Sequence, residues 1–71
     1  MELTNQEKID IINQHYKSSM QNAFDIQLRI IEENALENPN QDTINALNNN
    51  LNVEIAKQKA LDEQLLSLQN N

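Results

Sequence analysis

A single proline, Pro39, divides a chain that contains no glycine. Tight turns between β-strands rely on glycine for positive φ angles, so a chain without glycine is a poor candidate for a sheet. Proline cannot continue a helix, and the residue before it avoids the helical region of φ/ψ space. The sequence therefore predicts an all-α fold in which two long helices are separated by one turn, at 38–41.

Cap residues set the expected ends of the two helices. Thr4 followed three residues later by Glu7 predicts a capping box, so the first helix is expected over about residues 5–37. Asn40 is the predicted N-cap of a second helix over about residues 42–69, because Asp42 then lies in the first turn, where negative charge is favourable. Capping by Asp42 itself is the alternative. Residues 1–71 are predicted to form one helical hairpin.

Both helices follow a heptad pattern, in which the a and d positions face a partner helix. In the first helix these positions are Ile9, Ile12, Tyr16, Ser19, Ala23, Ile26, Ile30 and Glu33. In the second helix they are Ile44, Leu47, Leu51, Glu54, Gln58, Leu61, Leu65 and Leu68. The asparagines of the run NALNNNLNVEI all fall outside these positions, which indicates the polar side of a helix rather than a linker.

Two matched helices on either side of a short loop favour an antiparallel hairpin with coiled-coil-like packing. Pairing across the loop is expected to place Ile30 near Leu51 and Ile12 near Leu68. Polar Glu54 and Gln58 resemble seam residues that set register in coiled coils. The predicted hairpin seam consists of Ile9, Ile12, Tyr16, Ile26, Ile30, Ile44, Leu47, Leu51, Ile55, Leu61, Leu65 and Leu68.

The first helix is apolar around more of its circumference than one partner helix can cover. An isolated hairpin of this size would leave that area in water. We therefore expect the hairpin to be completed by oligomerisation or by docking on a larger protein. The predicted partner or oligomer interface consists of Ile11, Met20, Phe24, Leu28, Ile31 and Leu36.

Composition weighs against several other classes of partner. The 11 acidic and 5 basic residues give a net charge of −6, which argues against binding nucleic acid. No apolar run approaches the roughly 20 residues of a membrane span, and no secretory signal is recognisable. We therefore expect a protein partner, with neither nucleic acid nor membrane, and a soluble protein that acts where it is made.

Residues with catalytic potential do not form a recognisable constellation. Cysteine is absent, which excludes disulfides and thiolate metal ligands. His15 is the single histidine and has no further ligand one helical turn away. Ser18 and Ser19 are near it in sequence, yet no acid is placed to orient the base. The sequence predicts a protein without enzymatic activity, catalytic residues, cofactor or metal.

The segments LTNQEKIDIINQHYKS and IIEENALENPNQDTINALNNNLN resemble small helical proteins of tailed bacteriophages, particularly those that infect marine cyanobacteria. The similar features are the T-x-x-E-K-I opening, the I-I-E-E stretch, the N-P-N-Q hinge and the heptad tail. The resemblance implies a small virion or assembly component in the virion or the host cytoplasm. The alternative is a small acidic effector that binds a host enzyme or transcription factor.

Overall fold

The computed structural model describes residues 2–69 and contains two helices, α1 (Asn5–Asn34) and α2 (Gln41–Gln69). Helices of 30 and 29 residues are each about 45 Å long at 1.5 Å per residue. The molecule measures 55 × 17 × 14 Å, so the two helices lie side by side. The predicted all-α antiparallel hairpin is confirmed, and residues 2–69 contain no strand. Residues 1, 70 and 71 of the predicted hairpin lie outside the described residues.

The start of α1 is fixed by the predicted capping box. Thr4 has extended backbone angles, φ −71° and ψ 162°, and its hydroxyl accepts a hydrogen bond from the Glu7 N–H at 3.1 Å. The Glu7 carboxylate accepts in return from the Thr4 N–H at 2.9 Å. The Thr4 backbone N–H, and after it the Thr4 hydroxyl beside the carboxylate, lower the pKa of the Glu7 carboxyl below its ordinary value of 4.5. Two helix N–H groups that would otherwise lack partners are therefore satisfied.

The first helix ends at Asn34, earlier than the predicted end near residue 37. The Ala35 N–H contacts the carbonyls of Ile31 and Glu32, and the Leu36 N–H contacts the Glu33 carbonyl at 3.2 Å. Bonds to the third preceding residue tighten the last turn, as is common where a helix ends. Ending there leaves residues 35–40 to reverse the chain before α2. The described residues contain no positive φ, so this reversal needs no glycine.

The second helix begins at Gln41, and the prediction of Asn40 as its N-cap is confirmed. The Asn40 side-chain oxygen accepts from the Thr43 N–H at 3.1 Å, and the Asn40 carbonyl accepts from the Ile44 N–H. Asp42 lies in the first turn rather than at the cap. The helix continues through the asparagine run to Gln69, so the run is helical as predicted.

The contact between the helices is one narrow seam. Within residues 2–69, every residue that is buried or half-buried occupies an a or d position of the heptad pattern. Three of them are buried: Ser19, Ile44 and Glu54, at 4%, 8% and 7% exposure. Ile44 is the single buried apolar residue of this part of the chain. A hairpin with so little buried apolar area has a small margin of stability.

The structure corrects one predicted seam residue. Ile55 was expected to fill the seam beside Glu54, but its side chain is 53% exposed. Glu54 itself occupies the d position and is held there by a hydrogen bond from Ser19 on the other helix. One residue further along a helix is a rotation of about 100°, so Ile55 lies outside the seam.

The helices also pair about one turn away from the predicted alignment. Ser19 contacts Glu54 and Gln58 across the seam, whereas the predicted pairs, such as Ile30 with Leu51, would have placed Ser19 near Leu61. The early end of α1 explains the difference. Because the chain leaves α1 at Asn34, the point of reversal moves towards the N-terminus, and every facing pair moves with it.

Candidate functional site

A cluster of polar side chains crosses the middle of the seam. The Ser19 hydroxyl lies 3.1 Å from the Glu54 side-chain Oε1 and 3.2 Å from the Glu54 backbone carbonyl, and its one proton can be donated to either. The Asn22 amide donates to the same Oε1 at 3.4 Å, and the Gln58 amide donates to the Ser19 oxygen at 3.4 Å. Lys57 donates to the other carboxylate oxygen, Oε2, at 2.9 Å. Both oxygens of Glu54 therefore have donors.

These donors favour the ionised form of Glu54. The pKa of its carboxyl lies below the ordinary value of 4.5, chiefly because the Lys57 ammonium donates a hydrogen bond to the carboxylate. Burial acts in the opposite direction, and the bonds from Ser19 and Asn22 add to the lowering. The Lys57 side chain is itself 58% exposed, so water screens the ion pair and limits its contribution to stability.

The cluster ties the two helices to one alignment. Within residues 2–69, no buried side-chain nitrogen or oxygen lacks a hydrogen-bond partner. A slip of one heptad would put Leu47 or Leu61 against Ser19. The buried carboxylate would then lose its hydrogen bonds from Ser19 and Asn22 on the other helix, and an unsatisfied buried polar group is costly. The physical role of the Ser19–Glu54 contact is therefore to select the pairing.

An open groove of about 500 Å³ runs along one side of this cluster. Its lining includes His15, Ser18 and Ser19 from α1, and Lys57 and Leu61 from α2. The groove thus brings the histidine and both serines together, but the Ser19 hydroxyl is bonded to Glu54 and Gln58. Across the described residues, no group of three or more His, Cys, Asp or Glu side chains is placed to hold a metal ion.

A second surface feature is an apolar line along α1, outside the seam. We call Met20, Phe24, Leu28 and Ile31 the outer stripe. Their spacings of four, four and three residues place them on one face of the helix. All four are exposed, with Phe24 at 61% and Ile31 at 63%. At 1.5 Å per residue the stripe is about 16 Å long.

The other two residues of the predicted interface are exposed but lie elsewhere. Ile11 occupies a c position, on the opposite side of the seam from the stripe. Leu36 lies in the turn after α1 and lines a separate groove with Thr43 and Leu47. The structure therefore places four of the six predicted interface residues together. Exposed large apolar residues that the prediction did not include in the interface are Leu3, Val53, Ile55 and Leu66.

The outer stripe extends towards α2 and is free of unpaired charge. Met20 and Ile55 both occupy e positions, and in antiparallel helices the e positions lie on the same side of the seam. The charged residues within the span of the stripe are Asp25 and Arg29, which pair with each other at 2.9 Å. Both line a groove on the other side of the seam, together with Lys57. The stripe is therefore an apolar surface that a partner could cover without burying a lone charge.

Comparison with known proteins finds no matching family model, and no curated protein or solved structure that matches the chain. Neither α1 nor α2, as described, is long and apolar enough to cross a membrane. The polar cluster around Glu54 and the outer stripe are therefore the two features of the molecule that bear on its function. The sequence pattern identified Glu54 and Gln58 of the first feature as polar seam residues that set register, but did not identify Ser19 as their partner. The signal for this contact was that Ser19 and Glu54 are polar residues at d positions of opposite helices, which need each other as partners.

Proposed function

We propose that this chain is a non-enzymatic protein–protein interaction module that binds through the outer stripe of α1. The observation that supports the proposal is the imbalance between exposed and buried apolar residues. Four large apolar side chains lie in line on the surface, while Ile44 is the single buried apolar residue among residues 2–69. Covering apolar area contributes about 25 cal/mol per Å². Contiguous apolar patches on soluble proteins commonly mark interaction sites.

The proposed partner is a protein rather than a nucleic acid. With 11 acidic and 5 basic residues, the chain lacks the clustered positive charge that phosphate contacts need. The stripe itself carries no charge, so shape and apolar contact would dominate binding, as at the centre of protein interfaces. No cofactor is part of the proposal.

The resemblance of the sequence to small phage proteins supplies the setting: a structural or assembly component of a virion. The net charge of −6 on a chain of 71 residues favours a second candidate, an acidic effector of a host protein. The two candidates use the same surface and differ in the identity of the protein that covers it.

A photo-crosslinking amino acid at position 24 tests this proposal. The probe is introduced at Phe24 in cells that produce the chain, and a control probe is introduced at exposed Asn49, an f position on the far side of α2. Irradiation is expected to give a protein adduct from Phe24 and none from Asn49. A phage or self adduct supports the assembly role, and an adduct with a host enzyme or transcription factor supports the effector. A folded chain that gives no adduct from Phe24 would overturn both.

A further inference from the structure

We propose that the outer stripe binds a second copy of this chain, antiparallel, about a twofold axis that passes between Phe24 and Leu28. This inference rests on the proposed function, because it names the partner of the same surface. Isologous contacts of this kind bring the same patch of two copies together and are the commonest form of self-association. The two hairpins would then contribute four helices to one bundle.

The stripe is complementary to itself when it is reversed. In an antiparallel pairing, Met20 lies opposite Ile31 of the second copy, and Phe24 lies opposite Leu28. The twofold axis repeats both contacts, so every member of the stripe meets one large apolar partner. A parallel alignment would instead set Phe24 against Phe24 and Met20 against Met20. The antiparallel arrangement distributes the bulk of the side chains more evenly along the contact, which favours close packing.

Charge at the ends of the outer stripe also favours the antiparallel pairing of the two copies. Lys17 lies on the line of the stripe, three residues before Met20. In the antiparallel pairing Lys17 is level with Ala35 of the second copy, just beyond the last turn of its α1. That turn contains no basic residue and lies at the negative end of the helix dipole. A parallel pairing would place Lys17 against Lys17, which repels.

The asparagine run fits beside this contact. Ile26 and Asn50 line one groove between the helices, so the level of the twofold axis on α2 falls near residue 50. Asn48 and Asn52, at e and b positions, are on the same side of the seam as the stripe and flank that level. An amide is both donor and acceptor, so Asn48 and Asn52 can border the contact without bringing a charge to it. Polar rims of this kind surround the apolar centre of many interfaces.

Sedimentation equilibrium and disulfide trapping test the proposal together. The wild-type chain, of 8.2 kDa, is expected to reach twice that mass as its concentration rises. Because the chain has no cysteine, Phe24→Cys and Leu28→Cys can be introduced singly, on copies with different tags, and mixed under oxidation. The heterodisulfide is expected to exceed both homodisulfides. Met20→Cys mixed with Ile31→Cys is a second pair, which serves if the first pair perturbs folding. Asn49→Cys is the control and should not cross-link.

Each other outcome decides against the inference in a different way. Homodisulfides of Phe24→Cys in excess would show a parallel contact. A mass above two copies would overturn the twofold dimer. A folded monomer at all concentrations, combined with a Phe24 photo-adduct to another protein, would overturn self-association and leave the proposed function intact. A folded monomer that gives no photo-adduct would remove both. Phe24→Asp is expected to weaken dimerisation by about 30-fold or more, as loss of a central contact does.

Discussion

Ser19 and Glu54, 35 positions apart in sequence, share a hydrogen bond of 3.1 Å at the centre of the helix pair. Both are buried, and both occupy positions that a simple apolar seam would give to leucine or isoleucine. An apolar pair would add area to the seam but would allow several alignments of similar energy. The polar pair sacrifices some apolar contact and makes one alignment preferable to its neighbours.

Replacing Ser19 tests whether its hydrogen bond to Glu54 stabilises the pairing of the helices. Ser19→Ala removes the shorter of the two hydrogen bonds that α1 donates to the Glu54 carboxylate, and is expected to destabilise the hairpin by about 0.5–1.5 kcal/mol. Urea unfolding followed by circular dichroism at fixed protein concentration measures the loss. The matched control is Ser18→Ala, because Ser18 is exposed and adjacent in sequence. Equal, negligible effects of the two substitutions would show that the cluster does not contribute to pairing.

The pH dependence of stability should follow the two carboxyls whose pKa values are lowered, Glu54 and Glu7. A carboxyl with a lower pKa in the folded state stabilises that state above its unfolded pKa, near 4.5. This stabilisation is lost as the pH falls through the pKa of the carboxyl in the folded state. We therefore expect the urea midpoint to be steady from pH 7 down to about 5 and to fall below that.

Glu54→Gln distinguishes the contribution of Glu54 to this pH dependence from that of Glu7 in the capping box. At pH 7 the variant should be less stable than the wild type, because Lys57 loses its carboxylate partner. The difference should shrink as the pH falls below 4.5, where the Glu54 carboxyl of the unfolded chain becomes protonated, and should be lost below the lowered pKa of the folded state. A difference that stays constant down to pH 3 would mean that the charge of Glu54 is irrelevant to folding.

Leucine truncation compares the seam with the surface. Leu61 is half-buried at a d position, whereas Leu66 is exposed. Leu61→Ala should cost about 2 kcal/mol, the low end of the range for core leucines, since the site is partly open to water. Leu66→Ala should change stability by less than about 0.5 kcal/mol. Urea midpoints at one protein concentration test both. Similar losses from the two variants would show that Leu66 is covered in solution.

Local signals in the sequence were sufficient for the helices and their caps. Thr4 with Glu7 and Asn40 with Asp42 act through neighbours in the chain, so their partners can be read directly. The period of apolar residues likewise identifies the a and d positions, because burial on a helix repeats with its turn.

The alignment of the two helices could not be obtained in the same way. The alignment depends on where α1 ends. Extending α1 by one more turn and reversing the chain at once differ little in free energy, so the last helical residue is hard to predict. An error of three residues at Asn34 moved every predicted pair by about one turn. The Ser19–Glu54 contact then went unnoticed, because it exists only in the correct alignment. The outer stripe was found from sequence since it depends on α1 alone.

Phe24→Asp distinguishes a surface used for binding from one used for folding. Phe24 is 61% exposed, so the substitution should leave the hairpin helical at concentrations where the wild type is monomeric. At higher concentrations, where the wild type associates, the variant should remain a monomer, because association would bury a charge without a partner. Circular dichroism and sedimentation over the same concentration series measure the two effects.

Gln14→Asp is the matched control for Phe24→Asp. It adds the same residue to an exposed position of the same helix, away from the outer stripe, and carries a similar penalty in helix propensity. It should associate as the wild type does. If Phe24→Asp instead unfolds at low concentration while Gln14→Asp stays helical, Phe24 belongs to the core of the hairpin itself. The outer stripe would then stabilise the single chain, and its exposure would no longer argue for a partner.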